Sequence, residues 1–456
     1  RLSLIHLKTR LDSAIIDAAK NGKDIVLTGN PGDGKTHIIR IIKPALEKLG
    51  RPIEIVLDAS TLSNREIFDG WVNAHDNGKA FVIAINAAVL YSVNKEYGSA
   101  FAPISEAYRA MTSSIVFHNE ECDPESVVVF DLSKREVLTP EVLAQAITKL
   151  TSKEHYKECD GCPLHNDCVV TKNRALLNGA LFQKRLSIVL ERVVLQGYHA
   201  TLREVQSLIA FLLFGNRTCK QLNQTAGNDE YDIANLVYAG KGGLFDAIRR
   251  SIDPVKISHP LWDEKIILND LEADSWAENY KIPAEAIAYD NDKLFKLRKR
   301  QFYFFNAHGE ELLTILDDDA SKFQAFLQQD DKKIVKELIR KINAFFGSTK
   351  PSNSEMKIWS GHRFDNEPRK VLISIGTQKT SGRPMLPKNM QAGIEMIPNY
   401  VRLEKKDAAN IFLKIDFDMY LLLSEAERGV PVLFLESDLV KKVWRFIEQL
   451  QSFNGI

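Results

Sequence analysis

The chain has no apolar run long enough to cross a bilayer. Its longest mostly apolar stretches, FVIAINAAVL (81–90) and LIAFLLF (208–214), fall well short of the roughly 20 residues a spanning helix needs. It has no excess of charge either. Lys+Arg and Asp+Glu both number 60, so a whole-surface attraction to nucleic acid is not indicated, and any DNA contact would need a local patch. Cysteine is scarce. There are five, three of them within ten residues, which is not the framework of a secreted disulfide protein. There is no internal repeat and no low-complexity tract. The opening RLSLIHLKTRLDS carries neither a leader pattern nor a Met, so the natural start is expected upstream. These absences predict a cytoplasmic protein without membrane contact. At 456 residues, 45% hydrophobic and 26% charged, the composition is that of a globular chain with roughly two to four domains.

What is there begins with alternation. DIVLTG (24–29), IEIVLDAS (53–60), KAFVIAIN (79–86) and SVVVFDLS (126–133) read as short buried strands. Helical patterns lie at 2–20, with Asn21-Gly22 as the stop, at 36–50, kinked near Pro44, and at 64–78. Strands alternating with helices predict an α/β core with a mostly parallel sheet over residues 1–150. A cysteine-rich insertion at 151–172 comes next. A helical region spans 173–350, with one long helix from Arg174 to Gln196 and another at 201–215 that Thr201 and Glu204 open as a capping box. Residues 221–232 read as a polar loop. Residues 351–456 read as a smaller β-containing domain, with strand-like KVLISIG, AGIEMI and YVRLEK and a closing helix at 439–451.

Between the first strand and its helix stands Gly29-Asn30-Pro31-Gly32-Asp33-Gly34-Lys35-Thr36, which fits G-x-x-x-x-G-K-[ST] throughout. Glycines let successive backbone N–H groups turn inward around an anion. The helix start presents further free N–H groups and its positive dipole end to the same anion. Lys35 is placed to reach the β- and γ-phosphates of a nucleoside triphosphate, and Thr36 to offer a hydroxyl to Mg²⁺. A strand before and a helix after supply the context the motif requires.

Such a loop works with a carboxylate at a neighbouring strand end that helps hold Mg²⁺. Asp58, ending IEIVLD, is the preferred reading. FVIAIN then supplies Asn86, which resembles the sensor residue of AAA+ ATPases. Asp131, ending VVVFD, is the alternative. The plain reading of either aspartate is a cap on the next N–H groups of the chain. No Glu succeeds either one to activate water, and nothing in the sequence fixes Glu66 or Glu136 in the site. Slow or partner-completed turnover is therefore expected. Arg203, in the first turn of the helix opened by Thr201, loosely matches the lid arginine of AAA+ proteins. A solvated helix arginine is its plain reading.

Cys159, Cys162 and Cys168, with His165 between them, give ligand-type residues at every third position, and C-x-x-C is a half-site for tetrahedral Zn²⁺. His155 and Cys122 are substitutes for His165. Three cysteines and a histidine suit zinc better than an iron–sulfur cluster, where four thiolates are commoner. Three reduced surface thiols are the plain alternative. In KLFKLRKRQFYFF (293–305) basic residues adjoin aromatics, a pattern that can track a nucleic-acid backbone. A basic helix face leading into a buried segment is the preferred reading there.

Taken together, GNPGDGKTHIIR, DAS, VIAINAAVL and VVFDLSKRE resemble the ATPase subunit of phosphorothioation-dependent DNA restriction systems (the DptF/DndF type). The cysteine cluster, TLREVQSLIAFLL and LFDAIRRSIDP (244–254) are consistent with that resemblance. It implies an AAA+-like P-loop NTPase core with a helical lid. It also implies ATP as ligand, and action with partner subunits, among them a helicase-like one, against DNA lacking the host's modification. An oligomer is left open. No nuclease constellation is visible, so cutting is expected of another subunit. The competing reading is a signalling-type switch that binds nucleotide and hydrolyses it slowly or not at all.

Overall fold

A computed structural model describes residues 2–50, 52–116, 126–224, 232–268, 291–346, 356–359, 370–373, 399–405 and 408–453. The chain divides into two compact units. The first runs essentially to Thr314, and the second holds most of the residues beyond it.

The first unit is built on a four-stranded, wholly parallel sheet in the order β2-β3-β1-β4, with β1 Asp24–Thr28, β2 Ile53–Val56, β3 Ala80–Ala84 and β4 Val127–Asp131. In register, Ile25 faces Val82 and Val128, and Thr28 faces Asp131. The strands are near-continuous apolar runs because both sheet faces are covered. Successive side chains point to opposite faces, and the core divides accordingly. Ile25, Leu27, Val82, Ala84 and Phe130 pack with α2 (Arg10–Lys20) and α3 (Lys35–Glu47). Val26, Phe81, Ile83, Val127 and Val129 pack with α4 (Asn64–Asp76), α5 (Ala87–Tyr97) and α6 (Ala102–Val116). A short α1 (Leu2–Ile5) precedes α2. The expected single helix over 2–20 is broken at residues 6–9, where Thr9 and Asp12 form a capping box that starts α2 afresh.

Buried Asp24 joins three elements. It accepts from Trp71 Nε1 of α4 at 2.7 Å and from the Phe81 backbone N–H of β3 at 2.8 Å.

A helical layer completes this unit: α7 (Pro140–Leu150), α8 (Val169–Leu177), α9 (Ala180–Leu195), α10 (Leu202–Phe214), α11 (Cys219–Gln224), α12 (Ile233–Ala239), α13 (Gly243–Ser251), α14 (Pro260–Leu268) and α15 (Asn291–Phe305). Most of them share one apolar cluster. The long helix expected over 174–196 is two helices. Asn178 caps α8, its side chain donating to Arg174 O at 2.7 Å, and Gly179 begins the new start. The loop expected at 221–232 opens instead as α11, and residues 225–231 lie outside the described residues.

The second unit packs α16 (Thr314–Leu327), α17 (Asp331–Phe345), α18 (Phe417–Glu427) and α19 (Ser437–Phe453) with an antiparallel pair, β7 (Tyr400–Lys405) and β8 (Ala408–Asp416). A second antiparallel pair joins β5 (Met356–Trp359) to β6 (Lys370–Ile373). AGIEMI lies outside the described residues. Among the described residues, no helix is long and apolar enough to cross a membrane.

Candidate functional site

The glycine loop leaves the carboxyl end of β1, an inner strand, which is where open α/β sheets bind ligands. Gly29, Gly32 and Gly34 take φ of 139°, 105° and 94°, a region L side chains avoid. Space is tight as well. A Cβ on Gly29 would stand 2.7 Å from Asp33 Oδ2, and one on Gly32 would stand 3.2 Å from Thr201 Oγ1. The loop thus lies directly against the start of α10, and the Arg203 backbone N–H reaches Gly32 O at 3.4 Å.

Inside the loop Asp33 is buried and accepts from the Asn30 N–H at 2.5 Å. Its other oxygen faces His199 Nε2 at 3.4 Å. That hydrogen bond, with help from the Asp33 charge and against burial, lifts the His199 pKa above its ordinary value. Lys35 folds back over the loop, donating from Nζ to Gly29 O at 2.6 Å and Asn30 O at 3.0 Å. Burial lowers its pKa, opposed by the charges of Asp33, Asp58 and Asp131.

A cavity of about 540 Å³ opens over this loop. Pro31, Gly32, Asp33, Gly34, Lys35 and Thr36 line it, together with Asp58, Asn86 and Arg203. Gly29 and Asn30 form the loop's base through their carbonyls to Lys35. Asp131 is not among the lining residues.

The two aspartates differ in what they already hold. Asp58 is exposed and bonds through Oδ1 alone, to Ser60 N at 3.0 Å and Ser60 Oγ at 2.6 Å, which lowers its pKa. Asp131 is buried and uses both oxygens. Oδ1 accepts from Ser133 N and Oγ, and Oδ2 pairs with Lys134 at 3.5 Å. Both act as caps, as their plain reading expected. Asn86 begins α5 without a side-chain cap bond. Strand order puts β3, which leads to Asn86, beside β1, and β2, which leads to Asp58, beyond it. Asp131 stands on the opposite flank.

Sequence reasoning missed the other wall. His6, His37, Arg40, Arg135 and Gln206 also line the cavity. His37 directly succeeds Thr36, which was a local signal. His6 and Gln206 carried none. His6 bridges Asp12 at 2.8 Å and His37 at 3.2 Å, and Gln206 donates to Ile5 O at 3.0 Å. Burial and the neighbouring His6 lower the His37 pKa. Burial works to raise that of Asp12, but bonds from His6 and Thr9 outweigh it and leave it lowered.

Neither candidate water-activating Glu is presented to the cavity. Glu66 is spent in the capping box with Ser63. Glu136 is buried, accepts from Leu138 N at 2.7 Å, and has its pKa raised by burial.

Elsewhere, two basic residues of α15 serve structurally. Lys299 is buried and pairs with Asp263, and Arg300 bonds Asp253 at 2.7 Å. Phe302, Tyr303 and Phe304 are fully buried. In the cysteine segment, His165 Nδ1 lies 2.9 Å from Cys159 O. Among the described residues, no three His, Cys, Asp or Glu side chains stand close enough to hold a metal ion as placed. Cys122 lies outside the described residues.

No family model, no curated protein and no solved structure matches this chain.

Proposed function

We propose that this chain binds ATP in the cavity over the glycine loop and hydrolyses it, as the nucleotide-handling subunit of a DNA restriction complex. The observation that carries the nucleotide reading is one convergence. Lys35 and Thr36 after β1, Asp58 after β2, Asn86 after β3 and Arg203 from α10 all face a single cavity. The finer reading is a P-loop NTPase of AAA+ type, with its lid in the helical region 173–350.

Each residue then has a task. The loop N–H groups and the start of α3 receive the phosphates. Lys35 exchanges the carbonyls of Gly29 and Asn30 for β- and γ-phosphate oxygens. Thr36 and Asp58 offer the hard oxygen donors that Mg²⁺ takes, and the ion supplies charge neutralisation at the phosphates when bound. Asn86 orients the attacking water. Arg203 senses the γ-phosphate and carries its presence into α10. Restriction, a helicase-like partner and DNA, engaged directly or through partners, rest on the resemblance of GNPGDGKTHIIR and the segments downstream of it.

A second reading is a switch that holds nucleotide and hydrolyses it rarely. The engagement of both Glu66 and Glu136 with backbone N–H groups favours it. Phosphate release from ATP, with and without duplex DNA and beside a Lys35→Ala control, separates the two. Turnover that vanishes in the control and rises with DNA supports the restriction ATPase. Bound ATP that exchanges slowly, without turnover, supports the switch. ATP neither bound nor turned over counts against both.

A further inference from the structure

The three clustered cysteines have a fourth companion that spacing did not reveal. Residues 151–168 carry no α-helix or strand and bury little beyond Thr151 and Tyr156. So small an apolar content does not hold an irregular segment, and short segments of this kind use disulfides or metals instead. The turns here keep their cysteines near one another. Cys162 N–H bonds Cys159 O at 3.1 Å, closing one turn, and Cys168 stands at the start of α8.

Cys219 arrives from a different direction, as the first residue of α11. Three positions on, Leu222 is buried in a small cluster with Tyr156 and Val170, against which Cys159 and Cys168 also pack. Residues three apart share a helix face, so Cys219 lies on the side of α11 that meets this cluster. The electrostatics agree with the packing. The thiols of Cys219, Cys168 and Cys162 all act on Cys159, and Cys159 and Cys219 both act on the Tyr156 hydroxyl. Four of the chain's five cysteines are thus gathered from segments some fifty residues apart.

We propose that Cys159, Cys162, Cys168 and Cys219 form a four-thiolate metal centre, holding Zn²⁺ or a [4Fe–4S] cluster, with Cys219 in the place His165 was expected to take. All four are free thiols with at least partial solvent access. As placed they stand outside bonding distance of a common ion. Closing on one ion requires these side chains, carried on turns and helix starts, to rotate toward each other. His165 instead braces the turn through its contact to the Cys159 carbonyl. Arg174, stacked over Tyr156 at 4.6 Å, supplies a positive charge near the thiolates. The fourth sulfur also removes the reason for preferring zinc. Four thiolates suit a tetrahedral Zn²⁺ and an iron–sulfur cluster equally. The role is structural, tying α8 and α11 to the irregular segment.

Elemental analysis of the full chain, purified without oxygen, tests this beside Cys219→Ser and His165→Ala variants. About one Zn²⁺ per chain, or about four Fe with matching acid-labile sulfide and a brown, visible absorbance, is expected. Cys219→Ser should lose at least about nine-tenths of it, while His165→Ala keeps it. Cys219 is exposed, and far-UV circular dichroism verifies that the variant folds. A wild-type chain without stoichiometric metal overturns the proposal. So does metal that survives Cys219→Ser but not His165→Ala.

Discussion

Asp33, buried inside the glycine loop, and His199, two residues before the cap of α10, face each other at 3.4 Å. The pair ties the loop that would hold phosphate to the helix that would sense it. Its hydrogen bond raises the His199 pKa, so its contribution is full below the unfolded value near 6.5 and fades as pH rises through the folded one. His199→Ala should therefore cost about 1 kcal/mol at pH 5.5 and markedly less at pH 9. Urea unfolding of both proteins at the two pH values gives the comparison, and an equal cost at both would contradict it.

Asp58 and Asp131 should separate by phenotype. Asp58 is exposed at the cavity, so Asp58→Ala should lower Mg²⁺-dependent kcat/KM on the order of a hundredfold while melting almost as the wild type does. Asp131, not itself a lining residue, caps Ser133 and pairs with Lys134. Its loss should cost about 1–2 kcal/mol of stability, with a smaller kinetic effect. Steady-state kinetics beside thermal melts would expose a reversed pattern.

Much of the core was legible because it is local. The runs DIVLT, AFVIA and VVVFD are short and apolar, and the glycine loop is read from eight consecutive residues. Strand order was not legible, since pairing β4 directly to β1 joins residues about a hundred apart and leaves no local mark. That order separates Asp58 and Asn86 from Asp131. His6 and Gln206 reach the cavity only through tertiary packing, and Cys219 meets the cysteine turns only through α11. Residues 174–196 read as one helix because their apolar period runs on across Gly179, while the chain restarts there.

The loop should tolerate no side chain at Gly32. Its φ of 105° and the 3.2 Å approach of Thr201 Oγ1 act together. Gly32→Ala is expected to cost about 1–3 kcal/mol and to weaken nucleotide binding at the same time. Denaturant unfolding and nucleotide titration of the variant measure both. Wild-type values in each would show that the loop can move away from α10.

Asp24 should matter to the fold and not to the chemistry. Asp24→Ala leaves the buried Trp71 N–H and Phe81 N–H without their acceptor, which should cost about 3 kcal/mol. The variant should still bind nucleotide at low temperature, as calorimetry beside a thermal melt would reveal. A melt like the wild type's would mean that the sheet does not depend on this junction.

The central claim is that the cavity over Lys35 holds a nucleoside triphosphate. Titration calorimetry of ATP with Mg²⁺ into the wild-type chain and into Lys35→Ala tests it most directly. The account predicts one saturable site in the wild type and at least about a tenfold loss of affinity in the variant. Equal binding by the two proteins, or none by a folded wild type, would contradict it.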